Sequence, residues 1–228
     1  MSLSRSATGI TAALLFCLGP ASVQAEWTGG LEGGTVVRDG DSATRLRGHL
    51  SLNERPLSHY LYAEWYRSDN NSYEIGYEPR YWFTDKLYTF GDGRVRLEKA
   101  LGIDRDTLLI GGLGAQLIAT ASQQLWVEAG LGYRMIDFTP QTGLEDADEQ
   151  VGTVRGGASQ VLADLFKLQL DGEVFSSPSS TQSQLETGVS MRLAQGAVKL
   201  SYRIRRVDID GIDAVNDSDT AVSFTVGF

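Results

Sequence analysis

Apolar and polar residues alternate along most of the chain. The alternation is cleanest over the last ten residues. There Thr220, Val222, Phe224, Val226 and Phe228 fall on one side of an extended strand, and Asp219, Ala221, Ser223, Thr225 and Gly227 fall on the other. Leu46, Gly48, Leu50 and Leu52 oppose Arg45, Arg47, His49, Ser51 and Asn53 in the same way. Tyr73, Ile75, Tyr77, Pro79 and Tyr81 oppose Glu74, Gly76, Glu78, Arg80 and Trp82, and Val198, Leu200, Tyr202 and Ile204 oppose Lys199, Ser201, Arg203 and Arg205. Turn residues separate such segments at Asp39-Gly40, Pro56, Ser68 to Asn71, Asp85-Lys86 and Gln195-Gly196. The pattern predicts an all-β fold, a transmembrane antiparallel up-and-down β-barrel of about twelve strands, with its apolar face to lipid and its polar face to a lumen.

Connections after even-numbered strands are short, and those after odd-numbered strands are expected to be longer or more polar. The longest are predicted over 139–150 and, as an acidic loop, over 208–217; residues 98–105 are read as a further connection. This is the alternation of periplasmic turns and external loops. Pro79 cannot donate to a ladder, so a bulge is predicted there. Trp27, Phe83, Tyr88, Phe166 and Phe228 at one end, and Trp65, Tyr73 and Tyr133 at the other, are predicted to form two interfacial girdles.

Composition fits this reading. A net charge of −9 and a mean hydropathy of −0.17 look soluble, yet 26 glycines accompany few helical patterns. In a barrel only every second residue has to be apolar. Arg5, the apolar run Ile10 to Leu18, Gly19-Pro20 and the small-residue ending Val23-Gln24-Ala25 predict a cleaved secretory signal over residues 1–25, and residues 26–228 are predicted to form the barrel. Cys17 lies within the signal behind Phe16, which argues against lipidation and leaves the exported chain without cysteine. The acidic balance and the lack of a basic stripe argue against nucleic acid.

Candidate chemistry is sparse. His49 is expected in the lumen and His59 in or beside a turn, and no Gly-x-Ser-x-Gly elbow accompanies them. The clusters Gly111-Gly112-Leu113-Gly114, Gly130-Leu131-Gly132 and Gly156-Gly157 lack a Walker lysine and the dinucleotide spacing, and they sit within strand patterns. Asp208, Asp210 and Asp213 alternate as calcium ligands do, but Gly211 sits at the fourth place rather than the sixth. No catalytic residue, cofactor or metal site is assigned. The inward charges say more. Arg45, Arg47, Arg94, Arg96, Arg134, Arg203, Arg205, Glu74, Glu128 and Glu186 are the lumen-lining candidates, with Arg80, Arg155, Lys167, Asp171, Glu173, Arg192 and Lys199 on the same face. Basic residues outnumber acids in this set, so the lining is expected to be positive and any small conductance anion-leaning.

Five stretches carry a resemblance. They are Trp27 to Gly34 with the Gly40-Asp41 turn, Tyr81 to Tyr88, Gly111 to Gly114, Glu128 to Arg134, and Asp217 to Thr220 leading to Phe228. In these the chain resembles the YdiY-like family of salt-induced outer-membrane β-barrel proteins, a family of uncharacterised role. It departs from that family in having Gly-Asp at the first turn and Val226 third from the end. The resemblance implies an outer-membrane barrel and no catalytic residues. The expected function is a narrow small-solute channel or an envelope or salt-stress protein. The alternatives are a membrane-embedded lipid-modifying hydrolase and a purely structural barrel without transport. Expected partners are outer-membrane lipid, lipopolysaccharide and, during biogenesis, the barrel-assembly machinery; the oligomeric state stays open. Phe224, Val226 and Phe228 are the predicted assembly signal. Deleting Phe228 is expected to lower the folded membrane fraction sharply, whereas Ser223→Ala on the polar face leaves it unchanged. Equal yields of heat-shifting band on gels would show that the last strand is not the signal.

Overall fold

The period-two pattern becomes twelve antiparallel strands. In the computed structural model, which describes residues 27–38, 41–67, 71–99, 102–210 and 212–227, they are β1 (Trp27–Arg38), β2 (Asp41–Glu54), β3 (Leu57–Arg67), β4 (Ser72–Trp82), β5 (Leu87–Glu98), β6 (Ile103–Ala119), β7 (Gln123–Phe138), β8 (Ala147–Leu162), β9 (Phe166–Ser176), β10 (Ser180–Leu193), β11 (Gly196–Ile209) and β12 (Ile212–Gly227). Each pairs with the next, and β12 pairs with β1 from Gly30↔Gly227 to Arg38↔Asp219, so the sheet closes. Closure leaves no sheet edge unpaired, and lipid offers no water to satisfy one. The end carrying residues 27 and 227 is here called proximal and the other distal. The expected signal over residues 1–25 and the terminal Phe228 lie outside the described residues, as does the side chain of Trp27.

The outward faces are those the alternation predicts. Leu131 is 77% exposed and Leu113 68%, and Leu31, Leu46, Ile75, Leu109, Val154, Leu168, Leu185, Leu200, Val222 and Phe224 also point out. Phe83, Phe166, Tyr73 and Tyr133 are exposed near strand ends, where girdle residues belong. Tyr88 does not join them. It is 2% exposed and faces the lumen, because the polar side of β5 is also its aromatic side.

Two expectations about connections fail. Residues 208–209 and 212–217 belong to strands rather than loop, with Ile209↔Ile212, Arg206↔Asn216 and Arg205↔Asp217 paired. On β11 Val207 and Ile209 turn inward and are buried, while Asp208 is exposed; on β12 Asp217 stands opposite the inward Arg205. Likewise β8 starts at Ala147 and β6 at Ile103, so strand extends into both expected connections. The longest connection that remains runs from Thr139 to Asp146 and carries a single 3-10 turn, Pro140–Thr142.

The predicted bulge at Pro79 is also absent. Pairing of β4 with β3 is unbroken through His59↔Pro79. On the other side the β4–β5 partners run to Tyr77↔Gly93 and resume at Arg80↔Phe90 in the same register. The missing N–H thus removes two pairings without inserting a residue. Gly91 gives the ring room, since a Cβ there would lie 3.2 Å from Pro79 Cγ. Tyr81 therefore stays outside and Trp82 inside, packed on Tyr88.

The glycines have a shared purpose. Tyr62 is directly opposite Gly76, Tyr88 opposite Gly114, Phe90 opposite Gly112 and Trp126 opposite Gly157. Each inward ring lies over the neighbouring glycine, where a Cβ would collide with it. Such aromatic–glycine pairs fill the bore while pinning the register. Gly114→Val is expected to displace the Tyr88 ring and cost about 1–3 kcal/mol, the usual range for overpacking. Gly48→Val, with its new Cβ 3.4 Å from Leu31 Cδ2 on the outer face, serves as the near-neutral control. Urea unfolding of both variants in lipid vesicles measures the difference.

Candidate functional site in the barrel lumen

The lumen is crowded with charge, and the register explains how that charge is arranged. Glu64 stands directly opposite Glu74, and Asp171 directly opposite Glu186. Like charges facing each other across a ladder repel. Three of these acids instead face a cation on their other neighbouring strand, Arg47 opposite Glu64, Arg96 opposite Glu74 and Arg203 opposite Glu186, and Arg203 also approaches Glu64 across the bore.

The middle layer is built on Arg155. Its Nη1 donates to Asp92 at 3.0 Å and its Nη2 to Glu78 at 3.2 Å, while its Nε donates to Glu128. Strands β8, β5, β4 and β7 meet through this one guanidinium. Glu128 is almost fully buried and also accepts from the Tyr88 hydroxyl at 2.7 Å, with Arg80 Nε 3.2 Å away. Arg94 donates to Asp92 and reaches Glu173 on β9 at 2.6 Å. Aromatic faces support these cations: Arg155 lies 4.6 Å from the Phe90 centroid and Arg94 4.9 Å from that of Phe175.

A second cluster backs onto the β1–β12 seam. Arg45 donates to Glu64 at 2.8 Å, and Arg203 from β11 lies 3.5 Å from Asp219 and 3.9 Å from Glu64. Arg47 lies 4.0 Å from Glu64 and donates to the Tyr60 hydroxyl at 3.3 Å. Lys199 donates to Glu186 at 2.7 Å. Glu74 accepts from the Tyr62 hydroxyl at 2.7 Å. Phe224 and Val226 lie outside this cluster, on the seam itself, opposite Gly33 and Leu31 of β1.

The distal layer spans the whole bore. Arg205 donates through both terminal nitrogens to Glu98, each at 2.7 Å. Their strands, β11 and β5, are six places apart in a ring of twelve and so stand opposite each other. Asp106 accepts from Arg134 at 2.9 and 2.8 Å and from Arg96 at 2.8 Å, and Arg96 reaches Gln182 on β10. Beyond this layer Ile103, Ile136, Val207 and Ile209, none more than 5% exposed, pack together from β6, β7 and β11. Register shifts between Arg96 and Glu98, Ile103 and Arg105, and Val207 and Ile209 lie at this end. Bulges bend strands, and here they accompany an apolar cap over the distal mouth. A cavity of about 30 Å³, lined by Glu74, Arg94, Arg96, Asp106, Arg134 and Gln182 among others, lies among the charges; it has room for a water or two.

Every candidate arginine thus faces the lumen beside a carboxylate. The expected positive lining is corrected, however. Glu64, Glu78, Asp92, Glu98, Asp106 and Asp219 also point inward and are paired with those arginines. Lys167 and Arg192 emerge exposed at the proximal rim. An apolar element was not anticipated either: Tyr88, Phe90, Leu108, Ile110, Val151 and Phe175 pack inside the barrel. The run Leu108-Leu109-Ile110, apolar on both faces, was its one visible signal. His49 faces the lumen with its ring 5.9 Å from that of Tyr60; His59 lies on β3, its Nδ1 2.6 Å from the Tyr77 hydroxyl. Among the described residues no group of metal-binding side chains occurs.

The protein family described as "Protein of unknown function, DUF481" matches residues 40–228. No curated protein matches the chain. Two solved structures share the fold: a NanC porin, 9% identical over 86% of this chain and 98% of that one with a TM-score of 0.58, and a KdgM porin, 10% identical over the same shares with a TM-score of 0.50.

Arg155→Met is expected to leave Glu128, Asp92 and Glu78 short of a cation and to cost about 3–5 kcal/mol, as breaking a buried pair does. The exposed pair Arg105–Asp137, at 2.6 Å on the outside, is the control; Arg105→Met is expected to cost no more than about 1 kcal/mol. Urea midpoints in vesicles compare the two.

Proposed function

Since this chain belongs to the DUF481 family of proteins of unknown function, its role has to be sought in the bore, and we propose that it is a bacterial outer-membrane barrel acting as a narrow, normally closed channel for small ions and solutes. The observation that carries this reading is the Arg205–Glu98 bridge across the full bore, beneath the cap of Ile103, Ile136, Val207 and Ile209. A general porin needs an open aqueous path. This lumen is crossed by ion pairs and sealed at one mouth by apolar side chains. Export through the leader over residues 1–25 and recognition of the last strand by the assembly machinery belong to the proposal. So does orientation with the proximal end in the periplasm, next to lipopolysaccharide-bearing outer leaflet at the distal end.

Selectivity follows from the inner charges. With the acids that pair Arg45, Arg96, Arg155, Arg203 and Arg205 counted, the lining is no longer basic. Among the described residues Glu74, Asp171 and Glu32 accept from the neutral Tyr62, Gln169 and Ser223 rather than from a guanidinium, so they keep more of their negative field than the arginine-bound acids. A cation-leaning leak is the result. The salt-induced role implied by the YdiY-like resemblance fits the same reading, because ion pairs that hold a bore shut weaken as ionic strength rises. A lipid-modifying hydrolase is disfavoured: among the described residues His59 is bonded to the Tyr77 hydroxyl and the His49 ring is tilted beside that of Tyr60, so tyrosines rather than a serine nucleophile are their partners.

In planar bilayers the wild type is expected to show small, cation-leaning conductance. Glu98→Gln combined with Arg205→Ser is expected to raise it severalfold without loss of the heat-shifted folded form. A large wild-type conductance that this double change leaves unaltered would overturn the closed-bore reading.

A further inference from the structure

We propose that the outer wall of the barrel carries a binding groove for one acyl chain of a phosphate-bearing membrane lipid. The groove has a volume of about 520 Å³ and is lined by Val127, Val154, Val174, Leu185 and Ile204 with Gly156 and Gly172 at its floor. Gly156 and Gly172 face each other across the β8–β9 ladder, between Val127 of β7 and Leu185 of β10. Two adjacent side chains are therefore missing from a row that is otherwise apolar and lipid-facing. The walls of the groove are the exposed apolar side chains of that row and the next.

These glycines differ from those inside the barrel. A Cβ at Gly112 or Gly132 would strike backbone of the neighbouring strand, so packing demands glycine there. A Cβ at Gly172 would meet nothing nearer than Leu185 Cδ1 at 3.4 Å, an ordinary contact, and the backbone there has no left-handed φ. Neither internal packing nor backbone geometry requires glycine at 172. What its missing side chain creates is the groove.

The distal rim supplies the second half of a lipid site. In the next row, Val154 and Val174 are followed by Ser183 on β10 and Arg206 on β11. Arg206 points outward, is more than half exposed, and lies two residues beyond Ile204 along the same strand. Asp208, itself exposed, lies 3.7 Å from it. An arginine and a hydroxyl where the apolar band gives way to polar residues are suited to a phosphate oxygen, and the groove below them lies at hydrocarbon depth. Apolar depth plus a cation at the headgroup level selects an anionic lipid over a second protein copy.

The proposal rests on the outer face being in lipid, not on the state of the bore, so it and the channel reading fail separately. Refolded full-length barrel in mixed micelles is offered phosphatidylglycerol or diacylglycerol, and native mass spectrometry counts the bound molecules. One phosphatidylglycerol per wild-type barrel is expected. Gly172→Leu, or Val174→Phe where the first variant folds poorly, is expected to reduce retention at least tenfold, and Gly48→Leu on the opposite wall to leave it unchanged. Arg206→Gln is expected to abolish the preference for phosphatidylglycerol over diacylglycerol. Absence of a wild-type adduct, or equal retention by the filled-groove variant, overturns the proposal. So does a wild-type dimer that Gly172→Leu converts to monomer, since the groove would then be an interface between copies.

Discussion

Charges enclosed by a sheet and surrounded by lipid must be neutralised within the enclosure. Water that would screen them at a surface is scarce, and an unpaired ion in such a place costs several kcal/mol. This barrel places carboxylates opposite carboxylates on adjacent strands, at Glu64 with Glu74 and Asp171 with Glu186. For three of them the strand on the other side sets a cation directly opposite, Arg47 for Glu64, Arg96 for Glu74 and Arg203 for Glu186, and further guanidiniums reach across the bore. Arg155 joins four strands and Arg205 joins opposite walls. A ladder holds each strand to two others only; the ion network ties strands that never pair. The narrowness of the bore is a result of that same wiring, so the features that keep the barrel in shape also restrict what passes through it.

The aromatic–glycine pairs solve a complementary problem. Twelve strands enclose more room than small side chains fill. Tyr62, Tyr88, Phe90 and Trp126 occupy it by lying over glycines of the next strand. Their faces then become platforms for Arg47 on Tyr62, Arg80 on Tyr88 and Trp126, and Arg155 on Phe90. Apolar filling and charged cross-links are thus one layered interior rather than competing ones. At the distal mouth the buried filling is mostly aliphatic, where Ile103 and Ile136 meet Val207 and Ile209 with Phe138 against them.

Strand number, closure and the facing of nearly every residue were legible in the sequence, because lipid on one side enforces alternation without exception. The facing of Arg45, Arg94, Glu128 and Arg205 follows from that rule alone. What was not legible depends on contacts between strands far apart in sequence. Alternation places Asp92 and Arg155 inside but does not say that they touch, and it does not say that acids balance bases. The acidic stretch at 208–217 misled because carboxylates mark loops on average. Here Asp208 is on the outer face of an extended hairpin whose inner face, Val207 and Ile209, is part of the cap, and Asp217 stands inside, opposite Arg205. Pro79 misled for the opposite reason: a bulge is one remedy for a missing donor, and a glycine partner is another.

That proline makes one part of the wall lean on another. β4 and β5 form two short ladders, one above and one below it, and the residues left without partners between them are Glu78 with Asp92 and Pro79 with Gly91. Both acids of that gap are held by Arg155, which belongs to β8. Within the hairpin Arg80 lies 3.5 Å from Glu78 and Arg94 donates to Asp92, each on the strand of its own acid. Arg155 binds both acids at once, so the stretch that Pro79 leaves without ladder is bridged from a strand three places further along. What a missing N–H takes from one hairpin is returned by a side chain of another.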